Sequence, residues 1–78
     1  MKPEYEPRGT TAHLGYLVEE AGEVLAAAGK TLRWGLASVN PDLPSTQQET
    51  NQSWLEREIN DLEGAIWKMR RHLAGERP

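Results

Sequence analysis

The sequence predicts an all-α protein, with two long antiparallel helices per chain and a linker that holds a short helix or turn. Residues 12–28 and 54–73 contain no proline and place apolar residues three and four positions apart, as on one face of an α-helix. No stretch alternates as a half-buried strand does. Each helix carries only one apolar stripe, so we expect oligomerisation to complete a four-helix bundle.

The first helix is expected to cover about residues 12–28. Thr10 or Thr11 is a suitable N-cap, and a run of three alanines favours helix. Gly29 followed by Lys30 is typical of a helix C-terminus. The predicted apolar stripe consists of Leu14, Leu17, Val18, Ala21, Leu25 and Ala28.

The second helix is expected to cover about residues 54–73 and to end near Gly75. Asn51 or Ser53 is a suitable N-cap, and Ser53 with Glu56 three residues later fits a capping box. The predicted apolar stripe consists of Leu55, Ile59, Leu62, Ile66, Met69 and Leu73.

The rest of the chain divides by composition. Residues 1–9 hold two prolines, a glycine and four charges, which predicts a flexible arm. Residues 30–36 are expected to form a short helix or turn, and residues 40–46 form a loop because of their prolines. The prediction is therefore one helical domain over residues 10–75, with residues 76–78 as a tail.

Composition excludes several classes of protein. The chain has no cysteine, so it has no disulfide framework, thiolate metal site or cysteine nucleophile. It has no apolar run long enough for a membrane span and no signal-peptide core, so we expect a cytoplasmic protein without membrane contact. Its 12 acids against 9 bases argue against a nucleic-acid polymer as partner. A chain of 78 residues buries a marginal core, which favours a homodimer or homotetramer.

Two pairs of acids stand out on the predicted helices. Glu20 and Glu23 on the first helix, and Glu58 and Asp61 on the second, are each three residues apart and so are neighbours on one face. Both pairs lie on the same side of their apolar stripes, whereas Glu19 points further from the core. Four adjacent carboxylates repel each other without compensation. Oxygen ligands favour Mg²⁺ and phosphate chemistry over Zn²⁺.

An ordinary surface role is the alternative for these acids. Carboxylates three residues apart are common on solvated helix faces, and Glu58 could pair with Arg57, or Glu23 with Lys30. The protein would then be a non-catalytic helical oligomerisation or protein-interaction module. A nucleotide-binding regulator without turnover is a third hypothesis.

The acids and their flanks resemble a family signature. Residues 17–24 (LVEEAGEV) and 55–62 (LEREINDL) resemble the EExxE and ExxD motif helices of MazG-type nucleotide pyrophosphohydrolases, of the all-α NTP pyrophosphatase superfamily. Residues 30–35 resemble small phage- or cassette-type members. The resemblance covers about residues 13–73. The stretch between the motifs, residues 24–57, is long for the pattern.

The resemblance implies a nucleoside triphosphate pyrophosphohydrolase that cleaves (d)NTP to (d)NMP and pyrophosphate, with house-cleaning of non-canonical nucleotides as a role. It implies Mg²⁺ as cofactor, with Mn²⁺ as a substitute. The catalytic metal ligands would be Glu20, Glu23, Glu58 and Asp61, with Glu19 as an outer group or additional ligand. Family members of this size assemble as dimers or tetramers with the site between helices.

Six further residues are candidates for substrate binding. Lys68 lies two turns after Asp61 and suits a phosphate, although a solvated lysine is an equal alternative. Trp34 suits stacking on a base, or else covers the end of the core. The other candidates are His13, for which packing is the alternative, Tyr16, Arg33 and Trp54.

Overall fold

The computed structural model describes residues 7–75 as two long helices, α1 (Gly9–Trp34) and α2 (Asn51–Leu73), which pack against each other. A short 3-10 helix, Ser45–Gln47, lies in the connection. The predicted all-α class is confirmed at the level of one chain. Most of the predicted arm and the whole predicted tail lie outside the described residues. Within residues 7–75, neither long helix carries a stretch apolar enough to cross a bilayer.

Helix α1 begins earlier than predicted. Its N-cap is Arg8, which has extended backbone and makes no side-chain capping bond. Thr10 and Thr11 lie inside the first turn, so the prediction that one of them caps the helix is wrong. The hydroxyl of Thr10 instead forms a 2.8 Å hydrogen bond with Nε2 of His72 near the end of α2. This contact shows that the helices are antiparallel, and it holds the first turn in place.

Helix α1 also continues beyond Gly29, its predicted end. The hydroxyl of Thr31 donates to the carbonyl of Ala27 at 2.8 Å, within the continuing helix. The helix ends at Trp34. Its C-cap is Gly35, whose φ of 87° is a conformation that favours glycine and whose N–H donates to the Thr31 carbonyl at 2.8 Å. The short element predicted after Gly29 is therefore the last part of α1 itself.

Helix α2 begins three residues before its predicted start, after an isolated antiparallel bridge between Val39 and Thr50. Thr50 is the N-cap, and its hydroxyl accepts from the Ser53 N–H at 3.1 Å. The prediction of Asn51 or Ser53 as the cap is wrong. Asn51 is buried, and its side-chain amide donates to the carbonyl of Gly35 at 2.9 Å. That bond ties the start of α2 to the end of α1.

The helix seam, the line along which α1 and α2 meet, is narrow and largely polar. Its most buried residues recur every seven positions, or about two turns, on each helix. Glu20, which is half-buried, occupies the intervening position on α1. The buried members are His13 and Ala27 on α1 and Asn51, Glu58 and Ala65 on α2.

The predicted apolar stripes cover each other only in part. Val18 and Leu25 on α1 are 69% and 72% exposed, and Leu73 on α2 is 69% exposed. The polar seam, and not the centre of either stripe, faces the partner helix. Much of the stripes therefore forms exposed apolar faces, whose residues are Leu14, Val18, Leu25, Ile59, Ile66 and Leu73.

Candidate metal centre

Three of the four predicted ligands meet at the middle of the helix seam. Glu20, Glu58 and Asp61 each offer one carboxylate oxygen, and these oxygens all lie within 4.8 Å of one another. We call these residues the carboxylate cluster. Glu20 and Glu58 occupy the seven-residue repeat of the seam, so helix packing itself brings them together. Oxygen ligands of one Mg²⁺ ion lie at most about 4.2 Å from each other, so small side-chain movements would let the cluster hold one ion.

Glu58 is the most deeply buried member of the cluster. It is 1% exposed and is the largest fully buried side chain among the described residues. Its Oε1 accepts from Nη1 of Arg57 at 2.8 Å, whereas its Oε2 has no hydrogen-bond donor within the described part of the chain. Glu20 Oε2 is likewise buried without a donor there. Buried anionic oxygens without donors are costly, and a bound cation removes that cost.

Electrostatics also indicate an excess of negative charge at the cluster. Burial raises the pKa of Glu58 above its ordinary value, and the Glu23 and Asp61 carboxyls raise it further, against the opposing effect of Arg57. Glu23 can hydrogen-bond to Glu58 only when one of the two carboxyls carries a proton. Burial likewise raises the pKa of Glu20, and the charges of Asp61 and Glu23 add to the effect. A divalent cation would favour the ionised forms.

The other two predicted acids lie around the cluster. Glu23 is exposed and lies outside the group of three, yet its carboxyl raises the pKa of Glu58. Glu19 is exposed, and its charge raises the pKa of Glu20. The structure therefore brings Glu20, Glu58 and Asp61 together, with Glu23 as the adjacent carboxyl.

Two predicted substrate contacts on α1 have different surroundings. Tyr16 is half-buried beside the cluster, where burial, and then the charges of Glu20 and Asp61, raise the pKa of its hydroxyl. His13 is 3% exposed, and its ring stacks on that of His72 at 4.6 Å between centroids. The placement of His13 matches the alternative interpretation, that it is a packing residue.

Arg57 links the cluster to the linker and is not among the residues that the sequence predicts for the site. Its Nη2 donates to Glu49 Oε1 at 2.6 Å, and its Nη1 bonds to Glu58. The pairing of Arg57 with Glu58, which was the alternative explanation of that acid, is confirmed. Adjacency to Glu58 was the available signal for Arg57, whereas Glu49 lies in a linker without helical periodicity.

A cleft of about 720 Å³ lies between the C-terminal end of α1, the linker and the first turns of α2. Trp34 and Trp54 both line it, together with the cationic side chains of Lys30 and Arg57. Arg33 is outside the lining, and its guanidinium carbon lies 5.9 Å from the ring centroid of Trp34. Two of the predicted substrate residues therefore share one cleft, whereas predicted Lys68 is half-buried further along α2.

Comparisons with protein-family models, with curated proteins and with solved structures gave no significant match to this chain. The resemblance of its motif helices to MazG-type enzymes therefore stays a prediction. Function is inferred from the candidate metal centre itself. Its donor set of carboxylate oxygens, without a sulfur or nitrogen ligand in the cluster, suits a hard divalent cation.

Proposed function

We propose that this protein is a Mg²⁺-dependent nucleoside triphosphate pyrophosphohydrolase, which cleaves (d)NTP to (d)NMP and pyrophosphate. The observation that carries the proposal is the buried Glu58 carboxylate, whose Oε2 has no donor in the described chain and which lies in a cluster with Glu20 and Asp61. A hard cation is the partner that such oxygens suit. The resemblance of residues 17–24 and 55–62 to the MazG-type motifs supplies the reaction type.

In this proposal, different residues of the site bind the metal, accept a proton and contact the phosphate. Glu20, Glu58 and Asp61 hold Mg²⁺, or Mn²⁺ in its place, which when bound supplies Lewis-acid activation of phosphate and water. Glu23, exposed beside Glu58, accepts the proton of the attacking water. The raised pKa of Tyr16 keeps its hydroxyl protonated at neutral pH, so it donates to a phosphate oxygen.

The tryptophan cleft takes the nucleoside part of the substrate in this proposal. Trp34 and Trp54 offer two aromatic surfaces for a base, and Lys30 adds a positive charge. The remaining predicted contacts, Lys68 and Arg33, lie outside the lining of the cleft and serve the outer phosphates. We further propose that the enzyme clears non-canonical nucleotides in the cytoplasm, with no part for a nucleic-acid polymer.

Homo-oligomerisation is part of the proposal, as a dimer or tetramer that completes a four-helix bundle. Its support is the imbalance in burial: Ala27 and Ala65 are the buried apolar residues of the described chain, while Val18 and Leu25 remain largely exposed. Burying a side chain of that size contributes about 1.5–3 kcal/mol. A second copy of the chain offers a matching apolar face.

The same exposed apolar faces favour the alternative function, a non-catalytic helical oligomerisation or protein-interaction module. In that case the acids are ordinary charges, and millimolar Mg²⁺ leaves the melting temperature unchanged. A ligand that binds only the folded state raises it.

Hydrolysis assays test the proposal directly. Wild type, Asp61→Asn and the control Glu63→Gln, which removes an exposed acid of the same helix, are incubated with Mg²⁺ and each common NTP and dNTP, dUTP and oxidised dGTP. Products are resolved by ion exchange. Monophosphate plus pyrophosphate from wild type and Glu63→Gln, but not from Asp61→Asn, supports the proposal. Diphosphate plus phosphate refutes the bond assignment, and no turnover by wild type refutes the activity.

A further inference from the structure

Arg57 stands at the junction of two features that are otherwise separate. Its side chain lines the tryptophan cleft, and its guanidinium bonds to Glu58, the buried member of the carboxylate cluster. A second bond, to Glu49, holds the guanidinium at the edge of the cleft. Arg57 therefore connects the tryptophan cleft to the carboxylate cluster.

The chemistry of the guanidinium leaves it able to bind a further anion. Its bonds to Glu58 and Glu49 use one N–H on each terminal nitrogen, and each nitrogen carries a second N–H. The Arg57 side chain is 54% exposed, so these groups are accessible. A planar guanidinium matches phosphate oxygens in a two-point geometry that lysine cannot reproduce.

Arg57 also fixes the orientation of Glu58. It occupies Oε1 and leaves Oε2 without a donor in the described chain, so one carboxylate has an arginine on one oxygen and the other oxygen available to a cation. The guanidinium and the cation site are then separated by a single carboxylate group.

We infer that Arg57 binds the phosphate next to the nucleoside, the α-phosphate of a nucleotide whose base occupies the tryptophan cleft. The identity of the ligand rests on the proposed function. The monophosphate product retains both the base and this phosphate. Arg57 therefore contributes to monophosphate affinity without Mg²⁺ and without turnover, which separates this inference from the proposed reaction.

The test uses fluorescence quenching of the cleft tryptophans in EDTA. The full chain is titrated with dUMP and the four common deoxynucleoside monophosphates, and with the matching nucleosides, which lack the phosphate. The variants are Arg57→Gln, Arg57→Lys and the control Arg70→Gln, which removes an exposed cation of the same helix that is outside the lining of the cleft. Circular dichroism establishes that each variant is folded.

Wild type and Arg70→Gln are expected to prefer one monophosphate over its nucleoside by about tenfold, or about 1.4 kcal/mol. Arg57→Gln is expected to lose this preference and to keep its affinity for the nucleoside. Arg57→Lys is expected to retain only part of the preference, because lysine keeps the positive charge but lacks the planar two-point geometry of the guanidinium. Equal binding of monophosphate and nucleoside by wild type overturns the inference. An unchanged preference in Arg57→Gln and Arg57→Lys, or parallel loss of nucleoside binding, also overturns it, whatever the hydrolysis assay gives.

Discussion

Replacing Glu58 with glutamine is expected to stabilise the cation-free protein and to remove its response to Mg²⁺. The two side chains have the same shape, so the change removes one negative charge from a site that is 1% exposed. The new amide also supplies donors next to carboxylate oxygens that have none in the described chain. Arg57 keeps its bond to Glu49.

The magnitude follows from the spacing of the cluster. Two unit charges 4.8 Å apart interact by about 3 kcal/mol at an effective dielectric constant of about 20. This applies to Glu58 with half-buried Glu20, whereas exposed Asp61 is screened by water and counts for little. Loss of charge in the Arg57 bond removes about 1–1.5 kcal/mol. The net gain is about 1.5–2 kcal/mol, or roughly 6–16 °C in melting temperature for a domain of this size.

Thermal unfolding followed by circular dichroism measures both effects. Each variant is melted at neutral pH in EDTA and in millimolar Mg²⁺, at one protomer concentration, because oligomerisation shifts the midpoint. Wild type is expected to gain about 2.7 kcal/mol when Mg²⁺ is a hundredfold above its dissociation constant. Glu63→Gln, the exposed charge control, is expected to keep this gain, and Glu58→Gln to lose it.

A purely structural role for Glu58 predicts the opposite sign. If it is the buried partner of Arg57 and nothing more, breaking the pair destabilises the fold by about 3–5 kcal/mol. Mg²⁺ would then have no effect on wild type. Lower stability of Glu58→Gln together with a wild type that is indifferent to Mg²⁺ refutes the cation-site reasoning.

Three other predictions follow from the burial, capping and exposure of particular residues. The raised pKa of Glu58 means that the cation-free fold binds its proton more tightly than the unfolded chain does, so stability is lost as pH rises through that pKa. The melting-temperature gap between Glu58→Gln and wild type should therefore narrow as pH falls toward 4.5, the ordinary value, and a constant gap argues against the shift. Thr50→Ala removes the cap on the Ser53 N–H and should cost about 1 kcal/mol in urea unfolding, whereas Thr50→Ser retains the hydroxyl and most of the stability. Leu25→Glu places a charge on an exposed apolar face and should weaken the proposed oligomer, which lowers the molecular mass measured by sedimentation equilibrium. Ala26→Glu, on another side of α1, should leave that mass unchanged.

The helices were predictable from local pattern, but their ends were not. Apolar spacing and the absence of proline located both helices correctly. Gly29 has the local features of a helix end, yet α1 continues to Trp34 and is capped by Gly35, which Asn51 contacts from sixteen positions away. The same contact draws Asn51 into the buried seam and leaves Thr50 to cap α2. Local rules do not include such a tertiary partner.

The site was predictable in part for a related reason. The spacing of the acids identified Glu20, Glu58 and Asp61 as neighbours, which the structure places within 4.8 Å of one another. The spacing did not predict that Glu58 is more buried than the leucines of the apolar stripe, because apolar periodicity predicts the stripe as the packed face. Nor could periodicity place Glu49, since the path of the linker depends on the bridge between Val39 and Thr50.

This arrangement gives a single chain two sources of instability on different sides of the same helices. The seam buries carboxylate oxygens that lack donors in the described chain, and the outer sides expose residues such as Val18 and Leu25. In the proposed function, a cation would relieve the first and a second copy of the chain would relieve the second, and each would bind the folded state only. If the two sites are independent, their stabilising effects add. If the partner chain also fixes the side chains of the carboxylate cluster, the two affinities are coupled. Mg²⁺ must then raise the affinity between the chains by the same factor by which oligomerisation raises the affinity for Mg²⁺.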